Sequence, residues 1–331
     1  MWSVIPDDAP EDGGAPAAFS GSRLSWRDLP RHVRDVVTAV SGAQVVAEVV
    51  ATSGFSPGFA GQLELADGGR VFVKAVSPAQ NPESPLLARR EITASGALPQ
   101  GVPAPRLLWH HDDGEWVVLA FEAVDGRSPE LPWRPGDLRR VLGAVVALGE
   151  VRPLAGHGLP SLAAEAAGTF DGWRRFAALE PAARAALAER HGERGAWLAE
   201  NLDRLVAWEE AAPAALDGDR LVHGDMRGDN VLLDGDTLWF VDWPHAAVGA
   251  PWFDLVSMLP SVAMQGGGSP AALLASSGLE VPPDRLRAAV SAVAGHLAWS
   301  STRPAPPGLP NLRAFQRAQA ARAVDWLREL A

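Results

Sequence analysis

The feature that most constrains the fold is a change in hydrophobic period about a third of the way along the chain. Between 45 and 121, apolar residues alternate in short runs such as that at 70–76, and the Asp-Gly-Gly sequence at 67–69 is typical of a hairpin turn. Beyond residue 135 they recur at helical spacing, most clearly over 138–148. A β-rich half followed by a helical half predicts an α+β fold.

The change of period falls near Glu122–Gly126, where we expect the two halves to meet. The sequence therefore predicts a sheet-bearing N-lobe over 21–122 and a mostly helical C-lobe over 123–331. Residues 1–20 are rich in Pro, Ala, Gly and Asp and lack periodicity, so we expect a flexible N-terminal extension there. One main helix is expected within the N-lobe, with Ser84 as its N-cap.

Composition excludes several classes of protein. The 331 residues include no cysteine, which rules out a disulfide scaffold and a cysteine-ligated zinc site. The 29 basic and 40 acidic residues give a net charge of −11, which disfavours nucleic acid and anionic membranes as partners. No apolar run reaches the roughly 18 residues of a membrane helix, and the N-terminus has no secretory pattern. We expect a cytoplasmic protein with a small-molecule partner, and the oligomeric state stays open.

Lys74 is the only lysine in a chain whose other 28 basic residues are arginine. The alternation places it on the second strand of a hairpin, with its side chain alongside Phe72 and Val76. A lysine carries a compact ammonium on a flexible stem, which the planar guanidinium of arginine does not reproduce. Composition alone leaves two explanations open, a chance surface lysine or a position that requires an ammonium.

The segment 221–254 concentrates polar side chains that suit phosphate chemistry. Short apolar runs flank Asp-Gly-Asp at 234–236 and predict a small hairpin, which would bring Asn230 and Asp242 to the same end. An amide oxygen and a carboxylate suit Mg²⁺, and Asp225 on the preceding loop would be placed to accept a proton from a hydroxyl. The alternative is a turn with capping Asp and Asn side chains, which would leave Lys74 unexplained.

These residues resemble a known family. His223-Gly224-Asp225, followed by Asn230 and then Asp242, resembles the catalytic segment of the aminoglycoside phosphotransferase family, which has the bilobal protein-kinase-like fold. Gly54-Phe55-Ser56-Pro57 resembles the nucleotide loop of that family, and 251–255 resembles its segment with a structural aspartate. The resemblance covers roughly 45–260 with every element in order.

The resemblance implies a role for each matching residue. Lys74 would hold the α and β phosphates of ATP or GTP and would be oriented by Glu91. Asp225 would be the catalytic base or would position the acceptor hydroxyl, while Asn230 and Asp242 would hold Mg²⁺. The other implied roles are phosphate contacts from Ser56 and the amides near Gly54 and Gly58, nucleobase hydrogen bonds from the backbone of Glu122 to Val124, and structural support from His223 and Asp254.

The sequence also departs from the family pattern. Pro57 in the nucleotide loop has no N–H to offer a phosphate, and Trp243 follows the predicted metal ligand where protein kinases have Phe-Gly. Glu83 is a rival to Glu91 as the partner of the lysine. Two roles stay open for Arg227, contact with the γ-phosphate or pairing with Asp229.

The resemblance implies a small-molecule O-phosphotransferase, whose acceptor would be an aminoglycoside or another antibiotic-like compound, with a possible role in antibiotic resistance. A kinase of a primary metabolite and a catalytically silent nucleotide-binding protein are the alternatives. A protein kinase is disfavoured because no Ala-Pro-Glu segment follows Asp242.

The acceptor site is the least constrained part of the prediction. Residues 126–331 carry 24 acidic and 20 basic residues, which argues mildly against a highly cationic acceptor and favours a neutral hydroxylated compound. The weak acceptor-site candidates are Asp171, Asp325 and Glu329, which would form a local acidic patch, and Trp173 and Trp326, which adjoin helical carboxylate or arginine positions expected to border the acceptor cleft.

Overall fold

The structure is a computed structural model that describes residues 16, 18, 23–55, 57–190 and 192–331, without the side chains of 186–190 and 192. Most of the predicted N-terminal extension, and Ser56 of the predicted nucleotide loop, lie outside the described residues. No helix in the described part of the chain is long and apolar enough to cross a membrane.

The first half of the chain forms an antiparallel sheet with one helix on each face. Its elements are helix α1 (Arg31–Ser41), strands β1 (Val45–Val50), β2 (Phe59–Leu65) and β3 (Arg70–Val76), helix α2 (Ser84–Ala97), and strands β4 (Leu107–Asp112) and β5 (Val117–Glu122). Within the described residues the sheet has five strands in the order β1-β2-β3-β5-β4. The predicted strands and the hairpin at 67–69 are confirmed.

Alternation along β3 decides which side chains face the second half of the chain. Val71, Val73 and Ala75 pack into the cluster on the α1 side of the sheet. Phe72 and Val76 pack with α2 on the opposite side, and Lys74 shares that side with them. The predicted pairing of Lys74 with Phe72 and Val76 on one face is therefore confirmed.

The predicted N-cap of α2 is wrong by one residue. Ser84 is the first helical residue, and Glu83 precedes it without a side-chain cap. The side chain of Asn81 forms a turn just before the helix, since its Oδ1 accepts the backbone N–H of Glu83 at 2.8 Å.

The second half is mostly helical and forms the larger lobe. Its elements are α3 (Pro135–Leu148), α4 (Leu162–Thr169), α5 (Gly172–Ala177), α6 (Pro181–Arg190), α7 (Gly192–Glu210), α8 (Ala212–Ala215), β6 (Arg220–Val222), a 3₁₀ turn (Gly228–Asn230), β7 (Val231–Asp234), β8 (Thr237–Phe240), β9 (Ala247–Gly249), α9 (Phe253–Met264), α10 (Pro270–Ser276), α11 (Pro283–Ser301) and α12 (Leu312–Leu330). Strands β7 and β8 form the predicted hairpin, and β6 pairs with β9. The second pair was not predicted because three-residue strands are too short to show alternation.

An α+β, bilobal architecture is thus observed, with an N-terminal sheet lobe and a C-terminal helical lobe. The assignment of the boundary to the residue after Glu122 stays a prediction. The helical lobe is organised around α11, which packs against α5, α7, α9 and α12. A single large core of buried apolar side chains fills this lobe in the described residues, and it holds the segment 221–254 in place.

The contact between α5 and α11 depends on glycine. A Cβ added to Gly172 would lie 1.9 Å from the carbonyl oxygen of Gly295, and a Cβ on Gly295 would lie 2.8 Å from the indole ring of Trp173. Real side chains do not approach so closely, so the two helices can cross here only because both positions lack a side chain.

We predict that Gly172→Ala lowers the free energy of unfolding by about 1–3 kcal/mol, because the added methyl must push α5 and α11 apart in a packed core. Urea unfolding followed by circular dichroism measures the change. The matched control is Gly168→Ala in α4, where a Cβ meets nothing within 4 Å; this change should stabilise by up to about 1 kcal/mol through helix propensity. Equal effects of the two substitutions would contradict the packing explanation.

Candidate active site

Lys74 forms the main polar contact between the two lobes. Its Nζ lies 2.7 and 2.8 Å from the two carboxylate oxygens of Glu91 on α2, and 2.7 Å from Oδ1 of Asp242, which is 168 residues further along the chain. The lysine side chain is only 15% exposed. Glu91, rather than its rival Glu83, is therefore the carboxylate that pairs with the lysine.

The charges of this triad depend on one another. Burial alone would lower the pKa of Lys74, but the carboxylates of Asp242 and Glu91 outweigh it and raise that pKa. Burial alone would raise the pKa of Asp242, but the ammonium outweighs it and lowers that pKa. Burial dominates at Glu91, whose pKa is raised despite the contact with Lys74. The ammonium and the Asp242 carboxylate thus form a charged pair at neutral pH.

The backbone at the end of the small hairpin brings Asn230 and Asp242 together. The N–H of Val241 donates to the carbonyl of Asn230 at 3.0 Å, which closes the hairpin just before Asp242. Asp242 then adopts a φ of 68°, a left-handed conformation that is uncommon for a residue other than glycine. Such backbone strain concentrates at functional sites, where the surrounding structure enforces it.

Asp225 lies on the loop between β6 and the 3₁₀ turn. The Nδ2 of Asn230 donates to the backbone carbonyl of Asp225 at 2.8 Å, which ties the loop to the hairpin. Nη1 of Arg227 pairs with one oxygen of the Asp225 carboxylate, while Nε and Nη2 of Arg227 donate to Asp229, each at 3.0 Å. Arg227 thus pairs with Asp229, as one of its two open roles supposed, and also with Asp225.

The aromatic ring of Phe55 extends this arrangement toward the sheet lobe. The guanidinium of Arg227 lies 5.6 Å from the ring centre of Phe55 and 5.8 Å from that of Phe315 on α12. The two rings are themselves in edge contact, with centres 5.3 Å apart. The predicted nucleotide loop and α12 therefore meet over the residues around Asp225.

Asp254, the second residue of α9, supports the loop from behind. Its carboxylate accepts the backbone N–H groups of His223 at 2.7 Å and of Gly224 at 2.9 Å. Gly224 has a φ of 80°, and a Cβ there would lie 2.2 Å from the carbonyl oxygen of His245. No residue with a side chain fits this position without moving the backbone.

His223 is a buried, neutral ring within the same support. Burial lowers its pKa, more strongly than the nearby carboxylates raise it. Its Nε2 lies 3.0 Å from the carbonyl of Val241, and its Nδ1 lies 3.3 Å from the backbone nitrogen of Asp225. A ring that donates from Nε2 and accepts at Nδ1 satisfies both contacts, so His223 joins the two ends of the segment that carries Asp225 and Asp242.

The donors near the hairpin end fit a magnesium ion. The Nδ2 of Asn230 is engaged, whereas its Oδ1 accepts no hydrogen bond from any residue that the structure describes. Asp242 keeps its Oδ2 beyond the oxygen that binds Lys74. One amide oxygen and one carboxylate oxygen match the small number of protein ligands that Mg²⁺ takes beside water and phosphate. Clusters of three or more histidine, cysteine or acidic ligands do not occur among the described residues.

A cleft of about 810 Å³ between the lobes is lined by Lys74, Glu91, Asp225 and Asp242 together. Asn230 is buried just behind Asp225. The structure therefore brings the predicted phosphate-binding, metal-binding and catalytic side chains to one place.

Most of the backbone groups that were predicted to contact the nucleotide are engaged within the protein. The N–H of Gly54 already donates to the carbonyl of Ala18 at 2.7 Å, and that of Glu122 donates to Arg106 at 2.9 Å. Gly58 is packed against β3, where a Cβ would lie 2.4 Å from the carbonyl oxygen of Ala75. These positions are better explained by close backbone packing than by a free amide. The backbone of Val124 makes no hydrogen bond to another described residue. Its N–H and carbonyl therefore stay available for the predicted hydrogen bond to a nucleobase.

The five acceptor-site candidates do not line the cleft in the described structure. Trp173 and Trp326 are each only 1% exposed within the core of the helical lobe, and the indole N–H of Trp173 donates to Ser291 at 2.8 Å. Asp171 pairs with Arg175 at 2.7 Å, Asp325 pairs with Arg194 at 2.6 Å, and Glu329 is exposed near the end of α12. The prediction that they border the cleft is corrected here, because helix packing turns these positions away from it.

The sequence missed the residues that do form the far side of the cleft. They come from the loop after β8, from α11, from α12 and from the loop between these two helices: His245, His296, Arg303, Arg313, Phe315, Gln316 and Gln319. No local pattern distinguishes them, since each is a single polar or aromatic residue whose neighbours in space are distant in sequence.

We predict that Asp254→Ala destabilises the protein by about 1–3 kcal/mol for each of the two N–H groups that lose their acceptor in a buried site. Chemical denaturation gives the free energy of unfolding. Asp236→Ala is the control, because Asp236 is exposed at the hairpin turn and should change stability by less than about 0.5 kcal/mol. If Asp254→Ala were as mild as this control, Asp254 would not hold the loop.

Comparison with known proteins identifies the family of the chain. The model of the family described as phosphotransferase enzyme family (APH) matches residues 62–290, more than half of the chain. A search of curated proteins finds no match.

Three similar solved structures share the fold. A thermostable mutant of aminoglycoside phosphotransferase APH(4)-Ia, in a ternary complex with AMP-PNP and hygromycin B, is 17% identical, with 91% of this chain and 99% of that chain covered and a TM-score of 0.57. An aminoglycoside phosphotransferase from Alicyclobacillus acidocaldarius is 14% identical, with 91% and 95% covered and a TM-score of 0.53. An aminoglycoside-3'-phosphotransferase of type VIII is 22% identical, with 81% and 100% covered and a TM-score of 0.52.

These structures confirm the predicted protein-kinase-like fold. The family match extends from β2 into α11 and so includes the whole segment that carries Asp225, Asn230 and Asp242. The chain therefore belongs to the phosphotransferase enzyme family.

Proposed function

We propose that the protein is an ATP-dependent O-phosphotransferase that moves the γ-phosphate to a hydroxyl group of a small molecule. The observation that carries the proposal is the position of the Lys74 ammonium, which is held by Glu91 and Asp242 and faces the same cleft as Asp225. Phosphoryl transfer requires little covalent chemistry from the protein, and it depends on neutralising phosphate charge and on in-line positioning. In the proposed site, Lys74 would neutralise phosphate charge and Asp225 would position the acceptor hydroxyl.

In the proposed reaction the acceptor hydroxyl oxygen forms a bond to the γ-phosphorus, while the bond from that phosphorus to the β–γ bridging oxygen breaks and ADP leaves. Asp225 accepts the hydroxyl proton or orients the hydroxyl for attack. Arg227 forms an ion pair with Oδ1 of Asp225 and so holds the carboxylate in one orientation. Lys74 binds the α and β phosphates as a point charge.

Asn230 and Asp242 would hold Mg²⁺, which supplies charge neutralisation on the phosphate oxygens when it is bound. The choice of ATP over GTP rests on similar structures that contain AMP-PNP or ADP. Glu91 keeps the lysine directed into the cleft, since its carboxylate contacts the ammonium through both oxygens.

We predict that Asp225→Asn lowers the rate of phosphate transfer by about 10²–10⁴-fold while nucleotide affinity is retained, because the amide preserves shape but accepts no proton. The assay couples ADP release to a panel of hydroxylated compounds, with mass detection of the added phosphate, and calorimetry follows Mg·AMP-PNP binding.

Asp236→Asn, at the exposed hairpin turn, is the control and should behave as the wild type. A full transfer rate in Asp225→Asn would remove Asp225 from the reaction. Nucleotide binding without transfer to any acceptor, even by the wild type, would instead favour a silent nucleotide-binding protein.

We predict that Lys74→Arg weakens Mg·AMP-PNP binding by about tenfold or more, because a planar guanidinium cannot reach the phosphates and both carboxylates from the same strand position. Calorimetry measures the affinity. Arg70→Lys on the same strand exchanges the two cations at an exposed pair with Asp125 and should leave binding unchanged. An unaltered affinity in Lys74→Arg would show that the ammonium is dispensable.

A further inference from the structure

A second group of basic side chains, two arginines and two histidines, lines the cleft on the side of the helical lobe. It consists of His245 after β8, His296 on α11, Arg303 between α11 and α12, and Arg313 on α12, and we name it the basic cluster. These four residues have no place in the handling of ATP described above.

The basic cluster and the proposed reacting groups line the same cleft. Phe315 on α12 packs over the guanidinium of Arg227, which is paired with Asp225. Arg313, two residues before Phe315 on α12, lines the same cleft as Phe315 and Asp225. A molecule that offers its hydroxyl to Asp225 therefore has the basic cluster as a neighbour.

The two arginines of the basic cluster lack a carboxylate in direct contact within the described part of the chain. Among the described residues neither Arg303 nor Arg313 forms an ion pair: Arg313 donates to the carbonyl of Pro304 at 3.1 Å and to the side chain of Gln316 at 2.7 Å. Arg303 lies 5.8 Å from the ring centre of Trp299. Both guanidinium groups keep N–H donors for a further acceptor, since each carries five.

The members of the basic cluster also act on one another electrostatically. Burial first, and the charge of Arg303 second, lower the pKa of Arg313, against the opposing effect of Glu83. Burial lowers the pKa of His296, against the carbonyl of Thr169 and the carboxylate of Asp171, which raise it. The two arginines therefore repel each other, and a bound anion would relieve that repulsion.

The acidic residues that line the cleft are mostly engaged elsewhere. Glu91 and Asp242 bind Lys74, and Asp225 binds Arg227. Glu165 binds Arg90 at 3.1 Å, which leaves Glu83 as the acidic lining residue without an ion pair among those that the structure describes. A polycationic acceptor would require a rim of carboxylates, whereas the side of the cleft formed by α12 and the loop before it presents two arginines without an ion pair among the described residues.

We infer that the acceptor of this enzyme carries an anionic group, a carboxylate, phosphate or sulfate, which Arg313 and Arg303 bind while the hydroxyl lies at Asp225. This inference rests on the proposed phosphotransferase function and specifies its acceptor. Arginine suits the task because its planar fork can bind two oxygens of such a group at once. A polycationic aminoglycoside is excluded as the preferred acceptor by the same charges.

The first test uses inorganic sulfate as the probe, with the full-length protein saturated with Mg·AMP-PNP so that the phosphate subsites are filled. Millimolar sulfate should raise the Tm of the wild type by linkage, and this rise should be lost in Arg313→Gln and in Arg303→Gln. The side chain of Arg303 is exposed and makes no hydrogen bond to a described residue, so its variant should fold normally. Arg322→Gln, at an exposed position on α12, is the matched control and should respond as the wild type.

The second test compares acceptors that share one hydroxylated skeleton and differ in a single group, which is a carboxylate, a phosphate ester, a sulfate ester, a primary amide or an amine. We expect kcat/KM to be at least about tenfold higher for an anionic member than for its amide or amine. The best substrate among the carboxylate, phosphate ester and sulfate ester shows which anionic group the acceptor carries. Arg313→Gln should raise KM for that member by about tenfold with a smaller change in kcat, and Arg313→Lys should recover part of the loss.

The outcomes separate the two proposals. Failure of Mg·AMP-PNP to bind would overturn the phosphotransferase proposal and this inference with it. Binding of Mg·AMP-PNP, with the same sulfate response in wild type, Arg313→Gln and Arg322→Gln, would overturn the anionic acceptor alone. Transfer to amines or aminoglycosides at least as efficient as transfer to the anionic members would also overturn it.

Discussion

The ion triad of Lys74, Glu91 and Asp242 is the contact on which the site depends. It joins strand β3, helix α2 and the end of the β7–β8 hairpin, three elements that do not otherwise share a sheet or a helix. Charges withdrawn from water are costly unless they are paired, so each member constrains the position of the other two. The ammonium group of Lys74 therefore helps to set the relative position of the two lobes at the cleft, together with contacts such as the ion pair of Arg90 with Glu165.

The charge balance of this triad also matters for chemistry. One ammonium faces two carboxylates, and Asp242 in particular stays ionised because Lys74 lowers its pKa against the effect of burial. A buried site with excess negative charge and an amide oxygen nearby favours a divalent cation. In the proposed function, the lysine that joins the two lobes would also bind phosphate, with a divalent cation on its partner Asp242.

The two sides of the cleft differ in electrostatic character. The side formed by the triad and Asp225 combines both signs, whereas the basic cluster on α11, α12 and their connection has positive charge without carboxylate partners in the described residues. Phe55 and Phe315 meet between these sides and shield Arg227. This division would let one cleft handle a nucleotide with its metal and an acceptor of a particular charge separately.

The amino-acid sequence by itself determined the elements and one face of the site. Alternation along 70–76 placed Lys74 on the side away from Val73, and the Asp-Gly-Asp turn placed Asn230 and Asp242 at one hairpin end. These features follow from local rules, because strand period and turn chemistry depend on neighbours in the sequence. The short strands β6 and β9 were missed for the same reason, since three residues carry no period.

Only the tertiary structure decided which side chains meet across the lobes. Arg227 acquired two carboxylate partners, and Trp173 and Trp326 turned out to be core residues rather than neighbours of the acceptor. A helical pattern in the sequence gives the apolar face of a helix, but the part of the lobe that this face meets depends on the packing of α11 against its neighbours. The basic cluster likewise exists only because the loop after β8, α11, α12 and the connection between these two helices converge on the cleft.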